Sequence, residues 1–249
     1  MSGHSKWHSI KHKKAAIDAK RGQKFTKVIR ELVVAARMGG SDVNNNARLR
    51  VAVTAARDIN MPKDTIERNI KKGAGEVGGA AFEDVTYEGY GPGGVAILVE
   101  CSTDNKNRTA ASIRHVFNKY NGSLGAIGCV GYLFKKRGMI AIKAEGANED
   151  AAMEAALDAG AEDFSNDGES FTVTTSYGDM MKVREGLEKK GFAIESSEVQ
   201  NIADTTVKVE GRDAETLMKL LNALEDEEDV NNVSANFEMD EAVLAKLAE

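Results

Sequence analysis

The first third of the chain shows the hydrophobic spacing of α-helices. A first helix is predicted to end at Gly39-Gly40, with apolar residues three or four positions apart: Phe25, Val28, Ile29, Leu32, Val33 and Ala36. A second helix carries a single apolar face made of Leu49, Ala52, Val53 and Ala56. Pro62 suits a first helical turn, so a third, short helix is predicted from there to Lys72.

Beyond residue 80 the pattern changes to short apolar runs that alternate with amphipathic stretches. The predicted strands are 84–88, 95–101, 130–134, 139–144, 170–174, 192–199, 205–210 and 233–237. The predicted helices between them are 110–120, 148–159, 179–190 and 213–225. This alternation predicts α/β or α+β layers. The Gly-rich segment 73–80 lies between the two patterns and is typical of a linker.

The order of the strands and helices also predicts how the domains are arranged. Two β-α-β units, 95–134 and 205–237, flank a segment with enough elements for a ferredoxin-like domain of its own. We therefore predict an α+β multidomain chain, with an N-terminal three-helix domain followed by two ferredoxin-like α/β domains, one inserted in the other. The predicted bounds are 1–75 for the basic arm and helical domain, 80–137 plus 204–240 for the middle domain, and 138–203 for the insert. A tandem arrangement or one large mixed sheet stays open as an alternative.

Charge is distributed very unevenly along the 249 residues, whose formal net charge is −6. Residues 1–72 contain 17 Lys and Arg against 6 Asp and Glu, a balance of +11. The remaining residues contain 16 against 33, a balance of −17. Clustered Lys and Arg neutralise phosphates, so the N-terminal part is predicted to bind nucleic acid, while the acidic part avoids it.

The candidate nucleic-acid-binding residues lie at the start of the chain. An aromatic ring among cations can stack on an unpaired base, which makes Trp7 a candidate beside the basic residues. The predicted contacts are His4, Lys6, Trp7, Lys11, Lys13, Lys14, Lys20, Arg21, Lys24, Lys27 and Arg30. On the first helix, Lys24, Lys27, Arg30 and Arg37 are expected on the outer face. The patch is expected to continue through Arg48, Arg50, Arg57 and Lys63. A merely solvated basic tail is the alternative.

Other patterns give weaker indications of chemistry. His4, His8 and His12 share a helical face but have no fourth ligand nearby, so no metal site is predicted. The run Gly89–Gly94 precedes another strand and is therefore expected to be a hairpin turn, not a phosphate loop. In Thr103–Thr109, Asp104 or Asn105 is expected to cap the following helix. The acidic run Glu225–Asp229 is expected to be solvated.

No catalytic constellation or cofactor site emerges. Cys101, His115 and Cys129 do not form an acid–base–nucleophile pattern, and two cysteines cannot build a four-thiolate zinc site or a disulfide framework. The chain is 42% hydrophobic and 29% charged and has no apolar run of the ~18 residues that span a membrane. The N-terminus does not resemble a signal peptide, so a cytoplasmic monomer without a membrane partner is expected.

Several motifs resemble those of a known family. The chain opens with Gly3-His4-Ser5-Lys6-Trp7, followed by Ile10-Lys11, Lys14, Asp18 and Arg21-Gly22. Later motifs are Asn60-Met61-Pro62-Lys63, Tyr87–Gly94, Thr103-Asp104-Asn105, Asn107-Arg108-Thr109 and Leu224-Glu225-Asp226. Together they are very similar to the YebC family, which includes the mitochondrial translational activator of cytochrome c oxidase. The sequence departs from the family pattern at Asn44–Asn46, at Gln200–Ala203 and at Ser234.

The resemblance implies three domains, with one α/β domain inserted in the other, and no enzymatic activity. It also implies a cytoplasmic transcriptional regulator that binds DNA, although several members act as translation factors at the ribosome. We therefore interpret the sequence as that of a non-enzymatic, nucleic-acid-binding regulator of gene expression, with a ribosome-associated translation activator as the alternative. Phosphate contacts cannot separate DNA from ribosomal RNA. An enzyme that uses Cys101 or His115 is a distant third hypothesis.

Overall fold

The structure, a computed structural model, describes residues 18–76, 82–166, 168, 170–240 and 243. The chain begins in this part with three helices, α1 (Asp18–Gly39), α2 (Ala47–Asp58) and α3 (Lys63–Gly73). Asn46 caps α2 by accepting a hydrogen bond from the Leu49 N–H, while its amide donates to the carbonyls of Ala35 and Gly40. This one side chain therefore fixes the turn between α1 and α2.

The three helices pack around a core of their own. The four residues predicted for the apolar face of α2 are all buried, together with Leu32 from α1 and Ile66 from α3. A side chain at Gly73 would lie 2.3 Å from the Val33 carbonyl oxygen, so only glycine lets α3 approach α1 this closely. We call residues 18–76 the helical region.

The first sheet follows, with strands in the order β3–β1–β2–β9. Its hairpin strands β1 (Glu83–Tyr90) and β2 (Ala96–Thr103) are joined through a 3-10 turn at Pro92–Gly94. The other strands of this sheet are β3 (Ser123–Leu124) and β9 (Val230–Ala235). Helices α4 (Lys106–Lys119) and α7 (Gly211–Asp226) cover one face, and the core between them includes Ile97, Val99, Phe117, Leu217 and Leu221.

The second sheet is built from a segment that is continuous in sequence. Its elements are β4 (Phe134–Lys143), α5 (Glu149–Ala159), β5 (Asp163–Asn166), β6 (Ser170–Ser176), α6 (Met180–Lys189) and β7 (Ile194–Ala203). The strand order β5–β6–β4–β7, with antiparallel neighbours, is that of a ferredoxin-like β-α-β-β-α-β unit. Two further short strands, β8 (Val207–Lys208) and β10 (Phe237–Glu238), pair with each other in parallel. In sequence, β8 precedes α7 and β10 follows β9. The predicted fold class, a helical region followed by α/β layers, is confirmed.

The predicted strand at 130–134 is wrong. Gly131–Leu133 forms a 3-10 helix, and Phe134 opens β4 of the second sheet. The carboxylate of Glu88 accepts hydrogen bonds from the N–H groups of Gly128, Val130 and Gly131, so these donors are satisfied without a neighbouring strand. The 95–134 unit closes through the short β3 instead, which the sequence pattern missed, as it missed β5.

The helical region contacts both sheets through ion pairs. Arg184 of α6 forms a two-pronged ion pair with Asp58 of α2, with N···O distances of 3.0 and 3.1 Å. Arg48 of α2 reaches Asp84 of β1 at 2.5 Å. None of the helices in the described part is long and apolar enough to cross a bilayer.

Candidate nucleic-acid interface

The predicted contact residues of the arm fall mostly outside the part of the chain that the structure describes. His4, Lys6, Trp7, Lys11, Lys13 and Lys14 precede residue 18. Lys20 and Arg21 lie at the beginning of α1. The role of these eight residues in binding therefore stays a prediction.

The three predicted residues further along α1 do not share one environment. Lys24 is exposed. Lys27 is half-buried, and its ammonium group donates a hydrogen bond to the Glu225 carbonyl oxygen at 2.8 Å. Arg30 is only 7% exposed, so the expectation that it lies on the outer face of the helix is wrong.

Arg30 is buried because carboxylates from the far end of the chain surround it. Its guanidinium lies 2.6 Å from a carboxylate oxygen of Glu228 and 3.4 Å from one of Asp229. It also donates to the Glu228 carbonyl, and its central carbon lies 5.4 Å from the centre of the Phe82 ring. The cation on α1 thus joins the helical region to the loop between α7 and β9.

Asp229 is the centre of this junction, which corrects the expectation that the run Glu225–Asp229 is simply solvated. Asp229 is 8% exposed and accepts hydrogen bonds from the Thr109 hydroxyl at 2.7 Å, from Arg108 at 3.0 Å and from the Thr103 hydroxyl at 3.2 Å. Burial alone would raise the pKa of Asp229, but the hydrogen bonds from Thr109 and Arg108 and the charges of Arg108 and Arg30 outweigh it and lower that pKa. We call Arg30, Thr103, Arg108, Thr109 and Asp229 the Asp229 cluster.

The polar segment Thr103–Thr109 therefore has two structural tasks. Asn105 caps α4 by accepting a hydrogen bond from the Arg108 N–H at 3.1 Å, as the sequence predicted. Thr103, Arg108 and Thr109 also bind Asp229, 120 or more residues further on. The sequence contained no signal for this second task, because neither hydrophobic spacing nor local motifs report contacts over such separations.

The other cations of the helical region differ in their exposure. Arg48 binds the Glu31 carboxylate at 2.6 and 2.8 Å as well as Asp84, and these hydrogen bonds raise its pKa despite partial burial. Arg50 donates to the carbonyls of Val43 and Asn44. Among the described side chains of α1, α2 and α3, the exposed cations are Lys24, Arg37, Arg57, Lys63, Arg68 and Lys71, and Lys63 pairs with Glu67 at 3.5 Å.

Cys101 is poorly suited to nucleophilic chemistry. It is 2% exposed in the core of the first sheet, and burial raises its pKa to about 12, so the thiol stays protonated near neutral pH. His115 lies exposed on α4. Within the described ranges, no group of three or more His, Cys, Asp and Glu residues is arranged to bind a metal.

Taken together, the fold and the interface define a class of protein: a basic helical region joined by ion pairs to two acidic α/β parts. Residues 5–76 match the family model described as "TACO1/YebC protein N-terminal domain", and residues 82–237 match that of the "TACO1/YebC second and third domain". The chain belongs to the TACO1/YebC family.

Individual relatives agree with this assignment. The chain is 51% identical over 250 residues, the full length of both chains, to a "Probable transcriptional regulatory protein" of Persephonella marina. It is also 51% identical over 247 residues, 99% of this chain and 100% of the relative, to a protein with the same description from Geobacter sulfurreducens. The crystal structure of a conserved hypothetical protein from Aquifex aeolicus superposes with a TM-score of 0.84 at 47% identity and covers 91% of this chain and 94% of its own.

Proposed function

We propose that this protein is a non-enzymatic, nucleic-acid-binding regulator of gene expression that acts in the cytoplasm through residues 1–72. The observation that carries the proposal is the charge division, +11 in these residues against −17 in the rest. The names of the relatives from Persephonella marina and Geobacter sulfurreducens as transcriptional regulators support it.

The geometry of α1 refines which cations are available to phosphates. Lys27 binds the end of α7 at Glu225 and Arg30 binds Glu228 and Asp229 in the loop that follows, so both stabilise the junction between the helical region and the first sheet. The phosphate contacts then fall to the arm and to exposed cations of the three helices, such as Arg57, Arg68 and Lys71.

The proposal is tested by binding of the full chain to fluorescein-labelled RNA and DNA, measured as anisotropy over a range of salt. If about six cations meet phosphates, log affinity falls with log salt at a slope of about −5. Lys13→Glu combined with Lys14→Glu is expected to weaken binding sharply, because each reversal replaces attraction to phosphate with repulsion.

The matched control is Lys189→Glu combined with Lys190→Glu, an adjacent pair at the end of α6 in the acidic part. It is expected to leave the affinity nearly unchanged. Equal loss of affinity in both double variants would contradict a binding site in residues 1–72.

A second candidate function, association with the ribosome, is favoured by how the exposed cations are distributed. They lie on all three helices, whereas readout of a DNA site normally places a few side chains of one helix in the major groove. We expect the protein to co-sediment with ribosomes at near-physiological salt, and the Lys13→Glu, Lys14→Glu variant to lose this association. A footprint on one promoter, with affinity about a thousand-fold above that for non-specific DNA, would favour the DNA-binding regulator instead.

A further inference from the structure

Helix α5 turns its alanines inward and its large apolar side chains outward. Its buried residues are Ala152, Ala155 and Ala156. Met153 is 39% exposed and Leu157 54% exposed, although they are the largest apolar residues of the helix. A helix that packs on a sheet normally buries its largest apolar residues. The arrangement in α5 instead leaves an apolar strip in contact with solvent.

Two exposed carboxylates lie beside this strip. Asp150, Met153, Glu154 and Leu157 are at positions i, i+3, i+4 and i+7, which places all four on one face of the helix. Asp150 and Glu154 are exposed, and neither forms an ion pair with a residue that the structure describes. We call these four residues the α5 face. An exposed apolar strip with a polar margin is typical of a binding surface.

The charge around the α5 face limits what can bind there. Residues 144–170 contain nine Asp and Glu and no Lys or Arg. Two of these carboxylates are already paired, Glu162 with Arg137 and Asp158 with Lys190. Nucleic acid, an anionic lipid surface and a second α5 face are all repelled by the remaining carboxylates. The partner that fits is therefore a basic protein segment with apolar side chains of its own.

The arm of the same chain has this composition. Residues 1–17, which precede the described part, contain four Lys, three His and no Asp or Glu. Trp7 and Ile10 lie three positions apart among these lysines, and Ile17 follows. The chain therefore contains a segment that complements the α5 face in both charge and hydrophobicity.

The arm can also reach the α5 face. Helices α1 and α2 pack along each other across a short turn, so the end of α2 lies beside the first half of α1. At that end Asp58 binds Arg184 of α6. Helix α6 packs directly on α5, because a Cβ atom at Gly186 would lie 3.0 Å from that of Ala159. An extended segment of 17 residues spans up to about 55 Å, several times the spacing of about 8–10 Å between packed helices.

We propose that the α5 face binds the arm of its own chain, residues 1–17, and that the bound arm is withheld from nucleic acid. Lysines of the arm pair with the two carboxylates of the α5 face, and Trp7 and Ile10 cover its two apolar side chains. Because the arm is tethered, its effective concentration at the α5 face is of the order of millimolar, so weak contacts suffice. The inference rests on the proposed function, since it describes how the same arm is regulated.

Docking of the arm and binding of nucleic acid compete for the same lysines. An arm that is docked about nine-tenths of the time lowers the apparent affinity for nucleic acid about ten-fold. The α5 face thereby discriminates against nucleic acids that engage the arm only weakly.

The test measures binding of the full chain to the fluorescein-labelled RNA of the assay above. Met153→Ser combined with Leu157→Ser is expected to tighten RNA binding about ten-fold, because the arm is released. This variant leaves the charge of the protein unchanged, so the gain does not come from weaker repulsion of phosphates. Asp150→Asn combined with Glu154→Gln is expected to tighten RNA binding as well.

Trp7 reports docking in the absence of nucleic acid, because it is the only tryptophan of the chain. Contact with the α5 face shields the indole ring from acrylamide. Both α5 variants are therefore expected to increase the quenching of tryptophan fluorescence by acrylamide and to shift the emission to longer wavelength.

Matched controls lie on other exposed surfaces. Asp213→Asn combined with Glu215→Gln removes two carboxylates from α7. Ile127→Ser combined with Tyr132→Ser removes two apolar side chains that are 93% and 75% exposed. Both controls are expected to change neither RNA affinity nor quenching, and thermal unfolding shows whether each variant is folded.

Unchanged RNA affinity and quenching in both α5 variants would overturn the docking of the arm. The proposed function would still stand if Lys13→Glu, Lys14→Glu lost RNA binding, and would fall if that variant kept it. Increased quenching with unchanged RNA affinity would overturn the competition between α5 face and nucleic acid. A dimer in ultracentrifugation that Met153→Ser, Leu157→Ser converts to a monomer would place the arm on a second copy and overturn docking within one chain.

Discussion

At the scale of single residues, Asp229 shows how a carboxylate can be both buried and ionised. Its surroundings supply two hydroxyl donors and two guanidinium groups, enough to compensate the loss of water. One of these guanidinium groups is that of Arg30, which comes from the most basic segment of the chain. The charge of Arg30 therefore helps to join the helical region to the first sheet.

Asp229→Asn is expected to lower the free energy of unfolding by about 3 kcal/mol, because the buried guanidinium of Arg30 then loses its buried carboxylate partner and keeps only the exposed carboxylate of Glu228. Urea unfolding measures the change. The control is Glu228→Gln, whose side chain is 80% exposed, and it is expected to cost less than about 1 kcal/mol. Equal effects of the two changes would show that Asp229 has no special role.

At the scale of elements, the loop after β3 depends on a carboxylate from β1. Glu88 is 7% exposed and binds three N–H groups of the loop, which lower its pKa even though burial opposes this. In the native state Glu88 binds a proton less readily than in the unfolded chain. Its stabilising effect is therefore fully present above about pH 4.3, the ordinary pKa of glutamate, and is lost as pH falls through the lower native value.

Glu88→Gln is expected to lower stability by about 1–3 kcal/mol and to speed hydrogen exchange at the amides of Gly128, Val130 and Gly131. Glu83→Gln, at an exposed position of the same strand, is the control and is expected to change neither. If exchange at the three amides stayed slow in Glu88→Gln, the loop would be fixed by other contacts. The difference in stability between the original protein and Glu88→Gln is expected to shrink below pH 4.

The sequence predicted the elements whose apolar residues follow one period, and it failed where a polar side chain organises the backbone. The four apolar positions of α2 and the ends of α3 agree closely with the structure, because packing of one face determines them. Residues 130–134 have the composition of a strand, but the carboxylate of Glu88 accepts the hydrogen bonds of the Val130 and Gly131 N–H groups. In the candidate site, Lys24 is exposed as predicted, whereas the burial of Arg30 depends on Asp229, 199 positions later, and no local pattern reports it.

At the scale of the whole molecule, the helical region and the two sheets are connected by ion pairs between residues that are distant in sequence. The strands of the second sheet all come from residues 134–203, and those of the first come from either side. The Asp204 N–H donates to the Leu133 carbonyl at 3.2 Å, so the chain enters and leaves the second sheet at one point. This geometry supports the hypothesis of an inserted domain and moves its first residue from 138 to 134.

Deletion of residues 134–203, with Leu133 joined to Asp204 through two or three glycines, is expected to leave a folded remainder with one cooperative urea transition. The reason is that the four strands of the first sheet lie outside the deleted segment. Deletion of 138–203 is the comparison, because it leaves the first residues of β4 without their β7 partner, and it is expected to be less stable. Global unfolding of the shorter variant would instead indicate one continuous folding unit.

The contacts of Lys27 and Arg30 have a consequence for the order of events during synthesis. Their partners, Glu225 and Glu228, each lie 198 positions further along the chain. At about 5–20 residues per second, a ribosome needs about 10–40 seconds to make that stretch. During this time the carboxylates of Glu228 and Asp229, which later bind Arg30, have not yet been synthesised. The nascent chain therefore exposes more positive charge than the folded protein does.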